Sequence, residues 1–435
     1  MVAESIKMKE LGIVICNYNK ADYVLKCIAT VLESEYTDYD LYVVDNASSD
    51  GSVEAIEQTY GEQVTVLQNQ ENLGGSGGFN TGLRKVLEGD YRYVCCLDND
   101  VQVTPTAIGA MRDFLEKNKK VGMVGSKVFH MQMPDYVQQM GLKIHFDTFS
   151  AETLYADQKD GDTIPEVVYC DTVAACSLML PVAVLREVGM MPEDNFIYWD
   201  DMEWGYRVSR AGYQVAAIGA SKVYHEMSAN VRRETTFSIY YLWRNQLHFF
   251  MRYTPEKLRD RMVFVLLQRM FQEIYESMFR EEHNVASTLQ YALFDAMMGV
   301  RGKAAAEKIL PNDKSEKRVR ETLAKYEKIC VIDAEGIGLQ EALQELAPEM
   351  QFVEEAEAQV VWRSCPYIMT LTDLSGKDIY VDPNWNILVD EEDIPAIRQY
   401  GYSLQLFLYM HQDAFHFQSK KIAQKTEAQR QTLQE

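Results

Sequence analysis

Short apolar runs alternate with amphipathic segments between residues 11 and 225. Runs rich in β-forming residues lie at 11–16, 40–45, 64–68 and 93–97, and the apolar residues between them recur at helical spacing. Strands that are apolar on both faces are typical of parallel sheets covered by helices. The repeated order of strand and helix therefore predicts an α/β fold built on a doubly wound sheet.

The pattern changes after residue 235, where amphipathic helices are predicted. Residues 312–326 are highly charged and predict a helical linker, and strand-like runs return after them. At 435 residues the chain is too long for one typical domain. We predict a sheet domain over residues 1–235, an amphipathic helical region with its linker over 236–326, and a small C-terminal α/β domain of unknown role over 327–435.

Polar residues stand where the predicted strands end. Asn17 and Asn19 follow the first strand, Asp45 ends the second, and Asp98 and Asp100 follow the fourth. The carboxyl ends of parallel strands meet at one edge of a doubly wound sheet, where ligands bind. Two carboxylates at the mouth of a buried strand are costly to ionise together unless a cation offsets their repulsion. We therefore predict a Mg²⁺ or Mn²⁺ site there, with a solvated acidic turn as the alternative.

A glycine-rich stretch, ENLGGSGGFNTG, occupies residues 71–82. Its composition predicts a loop whose backbone approaches a ligand closely, with a mobile surface loop as the alternative. The stretch follows the third strand and lacks Gly-Lys-Ser/Thr, so it matches neither the dinucleotide fingerprint nor a P-loop. We expect the sugar or diphosphate of a bound nucleotide to contact Asn72, Gly74, Gly75 and Gly78.

Three acids lie between two indoles in the sequence from Trp199 to Trp204, WDDMEW. Aromatic walls desolvate a carboxylate and raise its pKa, so Asp200 or Asp201 is a candidate general base. Trp199, Glu203 and Trp204 are candidates for binding a sugar acceptor. The alternative is a helix start, because acids favour the positive end of the helix dipole.

The acidic charge and the apolar content narrow the class of protein. The formal net charge is −22, and 47% of residues are hydrophobic, which favours a packed core and argues against duplex nucleic acid as a partner. A nucleotide is not excluded, since a bound metal supplies local positive charge. No apolar run reaches about 18 residues and no secretory segment follows Met1, so we expect no membrane span, reduced cysteines and a cytoplasmic location.

Six segments, in order along the first 250 residues, resemble the family 2 glycosyltransferases of the GT-A type. They read ICNYNKADYVLKCI, VVDNASSDGS, NLGGSGGFNTG, LDND, YWDDMEWGYRVSRAGY and VYHEMS. The glycine-rich segment and the WDDMEW segment look most like bacterial rhamnosyltransferases and galactofuranosyltransferases. The resemblance implies that Asp98 and Asp100 bind a metal and that Asp45 binds the nucleotide. It further implies that His225 is an additional metal ligand, where a structural histidine is the alternative, and that Asp201 is the base.

The resemblance implies a metal-dependent, inverting glycosyltransferase with Mn²⁺ or Mg²⁺ as cofactor. The expected donor is a UDP- or dTDP-sugar, with rhamnose or galactofuranose favoured. The expected acceptor is a saccharide or lipid-linked saccharide hydroxyl of a growing bacterial cell-surface polysaccharide. A non-catalytic nucleotide-sugar-binding or scaffold protein that retains the fold is the alternative, and a nucleotidyltransferase is a third candidate. Residues 243–279 predict core, a homo-oligomer interface or peripheral contact with the inner face of a membrane, and their acids favour the first two.

Overall fold

The computed structural model describes residues 9–226, 235–372 and 378–434. The described residues fall into two compact units. The first unit is drawn from Met1–Arg232, His248–Phe250 and Val300–Ala305, and the second from Arg233–Leu247, Met251–Gly299 and Ala306–Glu435. Whether residues 236–326 and 327–435 are separate domains stays a prediction.

A mixed sheet with helices on both faces makes up most of the first unit. The strands of this unit are β1 (Leu11–Asn17), β2 (Tyr39–Asp45), β3 (Thr65–Gln68), β4 (Tyr93–Asp98), β5 (Val101–Val103), β6 (Val121–His130), β7 (Tyr136–Gln139), β8 (Leu142–His145), β9 (Ser150–Thr153), β10 (Gln158–Lys159), β11 (Val167–Cys170), β12 (Ser177–Pro181) and β13 (Gln214–His225). Of these, β8 and β9 pair in a separate two-stranded sheet, and the others belong to the mixed sheet. Its helices are α1 (Ala21–Leu32), α2 (Ser52–Tyr60), α3 (Gly74–Leu87), α4 (Ala107–Lys117), α5 (Val182–Val188) and α6 (Asp200–Arg210).

Four parallel strands form the part of the sheet that carries the predicted site. β1 lies between β2 and β4, and β3 pairs with the outer side of β2. β12 pairs antiparallel with β4 and leads on to β6, β7 and β10. The predicted α/β class with a doubly wound sheet is confirmed, and the sheet is mixed rather than wholly parallel because β12 enters it in the opposite direction.

The sheet separates two apolar cores because successive side chains of a strand point to opposite faces. Ile13 and Ile15 of β1 join one core with the buried faces of α1, α2 and α4. Val14 joins the other core, with apolar residues of α3, α5 and α6. Both faces of β1 are therefore covered, which explains its uninterrupted apolar sequence.

Strand register brings the polar strand ends together. Asn17 of β1 pairs with Asp45 of β2, and Cys16 of β1 pairs with Asp98 of β4. The three strands therefore end at almost the same level, at one edge of the sheet, as the sequence predicts.

The strand β13 reaches the same edge from the other side. It pairs parallel with β6 on both sides of a bulge between Ile218 and Lys222. Within the bulge, the Ser221 hydroxyl oxygen lies 2.7 Å from that of Ser126 on β6. Beyond it, β13 also pairs with β5, so that His225 lies opposite Val101.

The glycine-rich stretch is a helix rather than the predicted loop. Gly74 is the first residue of α3, which continues to Leu87. A Cβ atom at Gly78 would lie 2.3 Å from Cys16 Sγ, and one at Gly82 would lie 2.2 Å from Val14 Cγ1. These glycines therefore allow a helix backbone to pack directly against β1.

Helices dominate the second unit. They are α7 (Thr236–Tyr253, part of which belongs to the first unit), α8 (Arg259–Phe279), α9 (His283–Met298), α10 (Lys317–Leu323), α11 (Leu339–Leu346) and α12 (Ile394–Gln434). A small sheet contains β14 (Lys328–Ile332), β15 (Gln351–Phe352), β16 (Val360–Ser364), β17 (Ile379–Val381) and β18 (Ile387–Leu388), in the order β15, β14, β16, β17, β18. Among the described residues, no helix combines the length and the apolar character needed to cross a bilayer.

We expect Gly82→Ala to destabilise the fold by roughly 1–3 kcal/mol, because the new methyl group collides with the fully buried Val14 and overpacks the core. Chemical unfolding measures the change. Gly109→Ala on α4 is the matched control, since its nearest neighbour would be Tyr36 Cβ at 3.5 Å. That variant should gain about 0.5–1 kcal/mol, as is usual for alanine in a helix. Equal stability of the two variants would contradict the packing of α3 on β1.

Candidate active site

Two carboxylates and an imidazole meet at the edge of the sheet. Asp98 ends β4, Asp100 lies in the turn that follows, and His225 ends β13. One potential ligand atom from each of the three lies within 4.8 Å of the others. The structure therefore brings together all three residues that the sequence predicts as metal ligands.

The charges in this cluster act on one another strongly. Burial raises the pKa of Asp98 to about 6, and the neighbouring charge of Asp100 adds to the effect. Burial also acts to raise the pKa of Asp100, but hydrogen bonding to His225 and the charges of His225 and Lys20 outweigh it and hold the pKa near 2. The pKa values of these two neighbouring acids are thus shifted in opposite directions. Such a difference is expected where the positive charges lie next to only one of the two acids.

Gln138 of β7 fixes the orientation of the histidine ring. Its Oε1 lies 2.7 Å from His225 Nδ1, and His225 Nε2 lies 3.2 Å from Asp100 Oδ1. With Oε1 facing the ring, Nδ1 carries a proton and Nε2 is directed toward the carboxylates. Such a contact from outside the ligand set is typical of metal-binding histidines.

Lys20 provides a positive charge of the chain itself at this site. Its Nζ donates a hydrogen bond to Asp100 Oδ2 at 2.6 Å. The side chain is 42% exposed, so it can move away when another cation or an anion arrives. No local sequence pattern connects Lys20 with Asp100, because the two are eighty positions apart and meet only through the packing of α1 beside the β4 end.

The acid pair Asp200–Asp201 lies close to the carboxylate cluster. Asp201 accepts a hydrogen bond from the Ala175 backbone N–H at 3.3 Å, and the next residue, Cys176, accepts one from the Asp98 N–H at 3.2 Å. A single dipeptide therefore bridges the two groups of acids. The charge of Asp201 also contributes to the raised pKa of Asp98.

Burial raises the pKa of both acids of the pair. The pKa of Asp200 reaches about 7, chiefly through burial and then through the charge of Asp201. Burial likewise raises the pKa of Asp201, although the backbone N–H groups of Met202 and Ala175 oppose the rise. Asp200 is only 8% exposed, whereas Asp201 is partly open to solvent. A carboxylate with a raised pKa and access to solvent suits proton transfer.

The backbone before the acid pair is strained. Phe196, Tyr198 and Trp199 all have positive φ angles, between 62° and 69°, which aromatic residues seldom adopt. The Trp199 ring packs against Phe249 and Phe250, at centroid distances of 5.2 and 5.6 Å. Side-chain packing thus holds a conformation that the backbone alone disfavours.

The first turn of α3 supports the same segment. The Ser76 backbone N–H donates to the Phe196 carbonyl oxygen at 3.3 Å, and the Ser76 hydroxyl donates to Asp200 Oδ2 at 2.9 Å. A Cβ atom at Gly74 would lie 2.0 Å from the Phe196 oxygen, so only glycine fits there. The glycine-rich sequence therefore positions the acid pair, a role that its composition alone does not distinguish from ligand binding.

A second polar group lies at the ends of β1 and β2. Asp45 accepts hydrogen bonds from Asn17 Nδ2 at 3.3 Å and from the Ser48 N–H at 2.9 Å. Asn19 Oδ1 accepts one from the Ser49 N–H at 2.8 Å. The chain after β1 is thus bound to the chain after β2, beside the carboxylate cluster. Contact of Asn19 and Asp45 with a nucleotide stays a prediction.

Several predicted binding residues are corrected by their burial. Trp204 is fully buried in the core, where its indole N–H donates to the Gly189 oxygen, and Glu203 is only 2% exposed. Their burial leaves almost no surface of either side chain for an acceptor to contact. Asn17 is also fully buried, and it supports Asp45 rather than a ligand.

The glycine assignments change for the same reason. Gly74 and Gly78 are buried against protein atoms rather than open to a diphosphate. Gly75 is partly exposed and lies near Asp200, while Asn72 Oδ1 accepts from the Gly74 N–H at 2.8 Å. Ligand contact of Gly75, Asn72 and Trp199 stays a prediction.

Comparison with known proteins finds a family model and relatives that match part of this chain. Residues 12–176 match the family model described as glycosyl transferase family 2. The galactofuranosyltransferase GlfT2 of Mycolicibacterium smegmatis is 24% identical over 197 residues, which are 42% of this chain and 30% of that protein. The poly-beta-1,6-N-acetyl-D-glucosamine synthase of Staphylococcus epidermidis is 26% identical over 203 residues, which are 45% of this chain and 47% of that protein. The chain thus matches less than half of the length of either relative.

A solved structure was also found to be similar. The crystal structure of S. aureus TarS 1–349 in complex with UDP-GlcNAc aligns with 67% of this chain and 81% of that chain. The sequence identity is 12% and the TM-score is 0.44.

We expect the free energy of unfolding to fall less with rising pH in Asp200→Asn than in the wild type. The folded protein holds the Asp200 proton more tightly than the unfolded chain, because the pKa rises from 3.8 to about 7. The contribution of this group to stability is therefore full below about pH 4 and is lost as the pH rises through about 7. Between pH 5 and pH 8 the wild type should lose roughly 2–4 kcal/mol relative to the variant.

The measurement is the free energy of unfolding at both pH values, in a chelating buffer. Asp162→Asn, at an exposed position, is the control and should follow the wild type. Parallel pH curves for the wild type and Asp200→Asn would show that Asp200 is not held in a proton-binding environment.

Proposed function

We propose that this protein, whose residues 12–176 match the model of glycosyl transferase family 2, transfers a sugar from a nucleotide-sugar to a saccharide hydroxyl. The proposed donor is a UDP- or dTDP-sugar, and the proposed acceptor is a growing bacterial cell-surface polysaccharide or its lipid-linked precursor. One observation carries the proposal: a metal-suited cluster, Asp98, Asp100 and His225, lies one dipeptide away from a buried acid pair.

The donor set of the cluster fits a divalent cation. Carboxylate oxygens suit both Mg²⁺ and Mn²⁺, and the imidazole nitrogen of His225 favours Mn²⁺ over the more oxygen-selective Mg²⁺. A cation held by these residues supplies Lewis-acid stabilisation of the departing phosphate oxygen. Lys20, 2.6 Å from Asp100, adds a positive charge from the chain itself that can turn toward a diphosphate.

Donor binding is proposed at the ends of β1 and β2. Asp45 and Asn19 stand beside the cluster and offer oxygen acceptors for a base imide or a ribose hydroxyl. Because Asn17 and Ser48 already bind Asp45, its carboxylate is held in place before any ligand arrives. Preorganised groups of this kind lower the entropic cost of binding.

Asp201 is proposed as the general base. It is the more exposed acid of the pair, and the raised pKa makes it a better proton acceptor than an ordinary aspartate. Asp201 takes the proton of the acceptor hydroxyl while the hydroxyl oxygen attacks the anomeric carbon opposite the departing diphosphate. Direct displacement of this kind inverts the anomeric centre.

The identity of the transferred sugar is the most specific part of the proposal. The WDDMEW sequence and the similarity to a galactofuranosyltransferase support rhamnose or galactofuranose over other sugars. The second relative, a polysaccharide synthase, supports a polymeric acceptor. Each relative matches less than half of this chain, so these assignments concern the matched part rather than the whole chain.

The proposed function is tested by screening purified full-length protein against UDP- and dTDP-sugars with Mn²⁺ present. Thermal shift detects binding, and release of UDP or dTDP in the presence of a saccharide acceptor detects transfer. Binding of a nucleotide-sugar with transfer supports the proposal. Binding without turnover on any donor would instead indicate the non-catalytic scaffold, and absence of all binding would overturn both.

We expect Asp100→Asn to weaken Mn²⁺ binding by at least about 10- to 100-fold, because the variant loses a charged oxygen ligand. Isothermal titration of the full-length protein with Mn²⁺, with and without UDP, measures the loss. Asp162→Asn is again the control and should bind Mn²⁺ as the wild type does. Unchanged Mn²⁺ affinity in Asp100→Asn would refute the metal site.

We expect Asp201→Asn to lower kcat by about 10²- to 10⁴-fold while the affinity for donor stays within a few-fold, because only proton transfer is lost. Single-turnover transfer and donor titration separate the two effects. Asp200→Asn should lose less, since Asp200 is more buried. The opposite ranking of the two variants would move the base from Asp201 to Asp200.

A further inference from the structure

The helix α12 presents an exposed apolar face. Packing against α8 and α9 buries one side of it, including the fully buried Phe415. The opposite side exposes large side chains over four turns: Tyr402 is 72% exposed, Leu406 48%, Tyr409 78%, Met410 64% and Phe417 70%. Residues spaced by three, four and seven positions lie on one side of a helix, so these side chains form one continuous stripe.

The part of this stripe from Tyr402 to Met410 is free of formal charge in a chain that is otherwise highly acidic. Residues 399–412 contain no aspartate, glutamate, lysine or arginine, whereas the chain carries a net charge of −22. An apolar stripe of this size on a solvent-exposed surface marks an interaction site. Two copies of an acidic chain repel each other, so they can associate only through a neutral or complementary surface.

Charges of opposite sign border the stripe. Arg398 precedes the uncharged part, Asp413 follows it ahead of Phe417, and both are exposed. Further out, the exposed acids Asp390, Glu391 and Glu392 precede Arg398, and the exposed Lys420 and Lys421 follow Asp413. The order along the chain is therefore acidic, basic, apolar, acidic, basic.

This order is complementary to itself when reversed. If two copies of α12 run antiparallel about a two-fold axis between Gln405 and Leu406, Arg398 faces Asp413 of the other copy. The same register places Tyr402 opposite Tyr409. Gly401, where a Cβ atom would meet nothing within 4 Å, lies opposite the long Met410 side chain. A register chosen for one charge pair thus satisfies the apolar contacts as well.

We propose that α12 is a homodimer interface, in which it pairs antiparallel with α12 of a second copy of this chain. An interface of this kind is isologous, so that every contact occurs twice. Tyr291, Phe294 and Met298 of α9 are also exposed, and Phe294 contacts His411 of α12 at a ring-centroid distance of 6.0 Å. These side chains widen the face toward the roughly 800 Å² per partner of a standard interface.

A membrane surface fits this face less well. Helices that lie on anionic lipid carry lysine and arginine along their polar side. Here Asp413 interrupts the apolar stripe and further acids, including Glu391, lie beyond Arg398, where lipid phosphates would repel them. The alternation of sign instead favours a protein surface with the same alternation.

The test reverses the charge at position 398 or at position 413 in the full-length protein. Analytical ultracentrifugation at micromolar concentration then measures the mass of the particles in solution. The wild type should be a dimer. Arg398→Asp alone should weaken the dimer by about tenfold or more, since two symmetric attractions become repulsions, and Asp413→Arg alone should do the same. Lys117→Asp on α4 makes the same change of charge away from α12 and should leave the dimer intact.

Mixing the two single variants is the decisive step. At one end, Asp at position 398 of the first variant then faces Arg at position 413 of the second, and at the other end native Arg398 faces native Asp413, so a heterodimer with near wild-type affinity should form. Circular dichroism of each variant checks that α12 remains helical. A monomeric wild type, single variants that stay dimeric, or a mixture that stays monomeric would each overturn the proposal. Binding of a monomeric wild type to phosphatidylglycerol vesicles, lost in Tyr409→Ser, would identify a membrane surface instead.

Discussion

Electrostatic repulsion among four acids is the constraint on which the site depends. Asp98, Asp100, Asp200 and Asp201 lie within one small region where the strands end, and burial deprives them of most of the solvent that would screen their charges. The chain offsets this cost in parts: His225 and Lys20 neutralise Asp100, and Ser76 and backbone N–H groups bind Asp200 and Asp201. The remaining excess of negative charge makes the site receptive to a cation. Metal affinity and proton affinity are thus two results of the same crowding.

The fold brings these acids together by ending several strands at the same edge of the sheet. The register of β1 with β2 and β4 aligns Asn17, Asp45 and Asp98, and β13 brings His225 from the far side of the sheet. The acid pair arrives differently, on a strained segment held between the first turn of α3 and the aromatic rings of α7. Rigid strands therefore fix the proposed donor end of the site, whereas packed side chains fix the proposed base.

The sequence was sufficient to predict the sheet and the two aspartates that follow β4, because strand-end chemistry follows from strand order, whereas His225 was assigned only through the resemblance to known glycosyltransferases. It was insufficient wherever a residue type serves two purposes. Glycine permits close approach of either a ligand or a helix, and only the structure reveals that Gly78 contacts Cys16. Tryptophan likewise suits a sugar platform or a core, and Trp204 lies in the core. Lys20, Gln138 and Ser76 were missed because each acts through a partner more than seventy positions away, which no local pattern records.

The bulge in β13 has a consequence for how this domain tolerates change. Three residues, 219–221, have no counterpart in β6, yet the strand resumes its pairing at Lys222. Side chains alternate between the faces of a sheet, so the parity of this insertion decides on which side His225 emerges. Loss of one residue there would leave every strand in place and turn the imidazole away from both aspartates. A deletion remote from the carboxylates would thus disrupt the cluster without unfolding the domain. The number of residues in the bulge, which the Ser126–Ser221 hydrogen bond holds in place, sets the side of the sheet on which the later residues of β13 emerge.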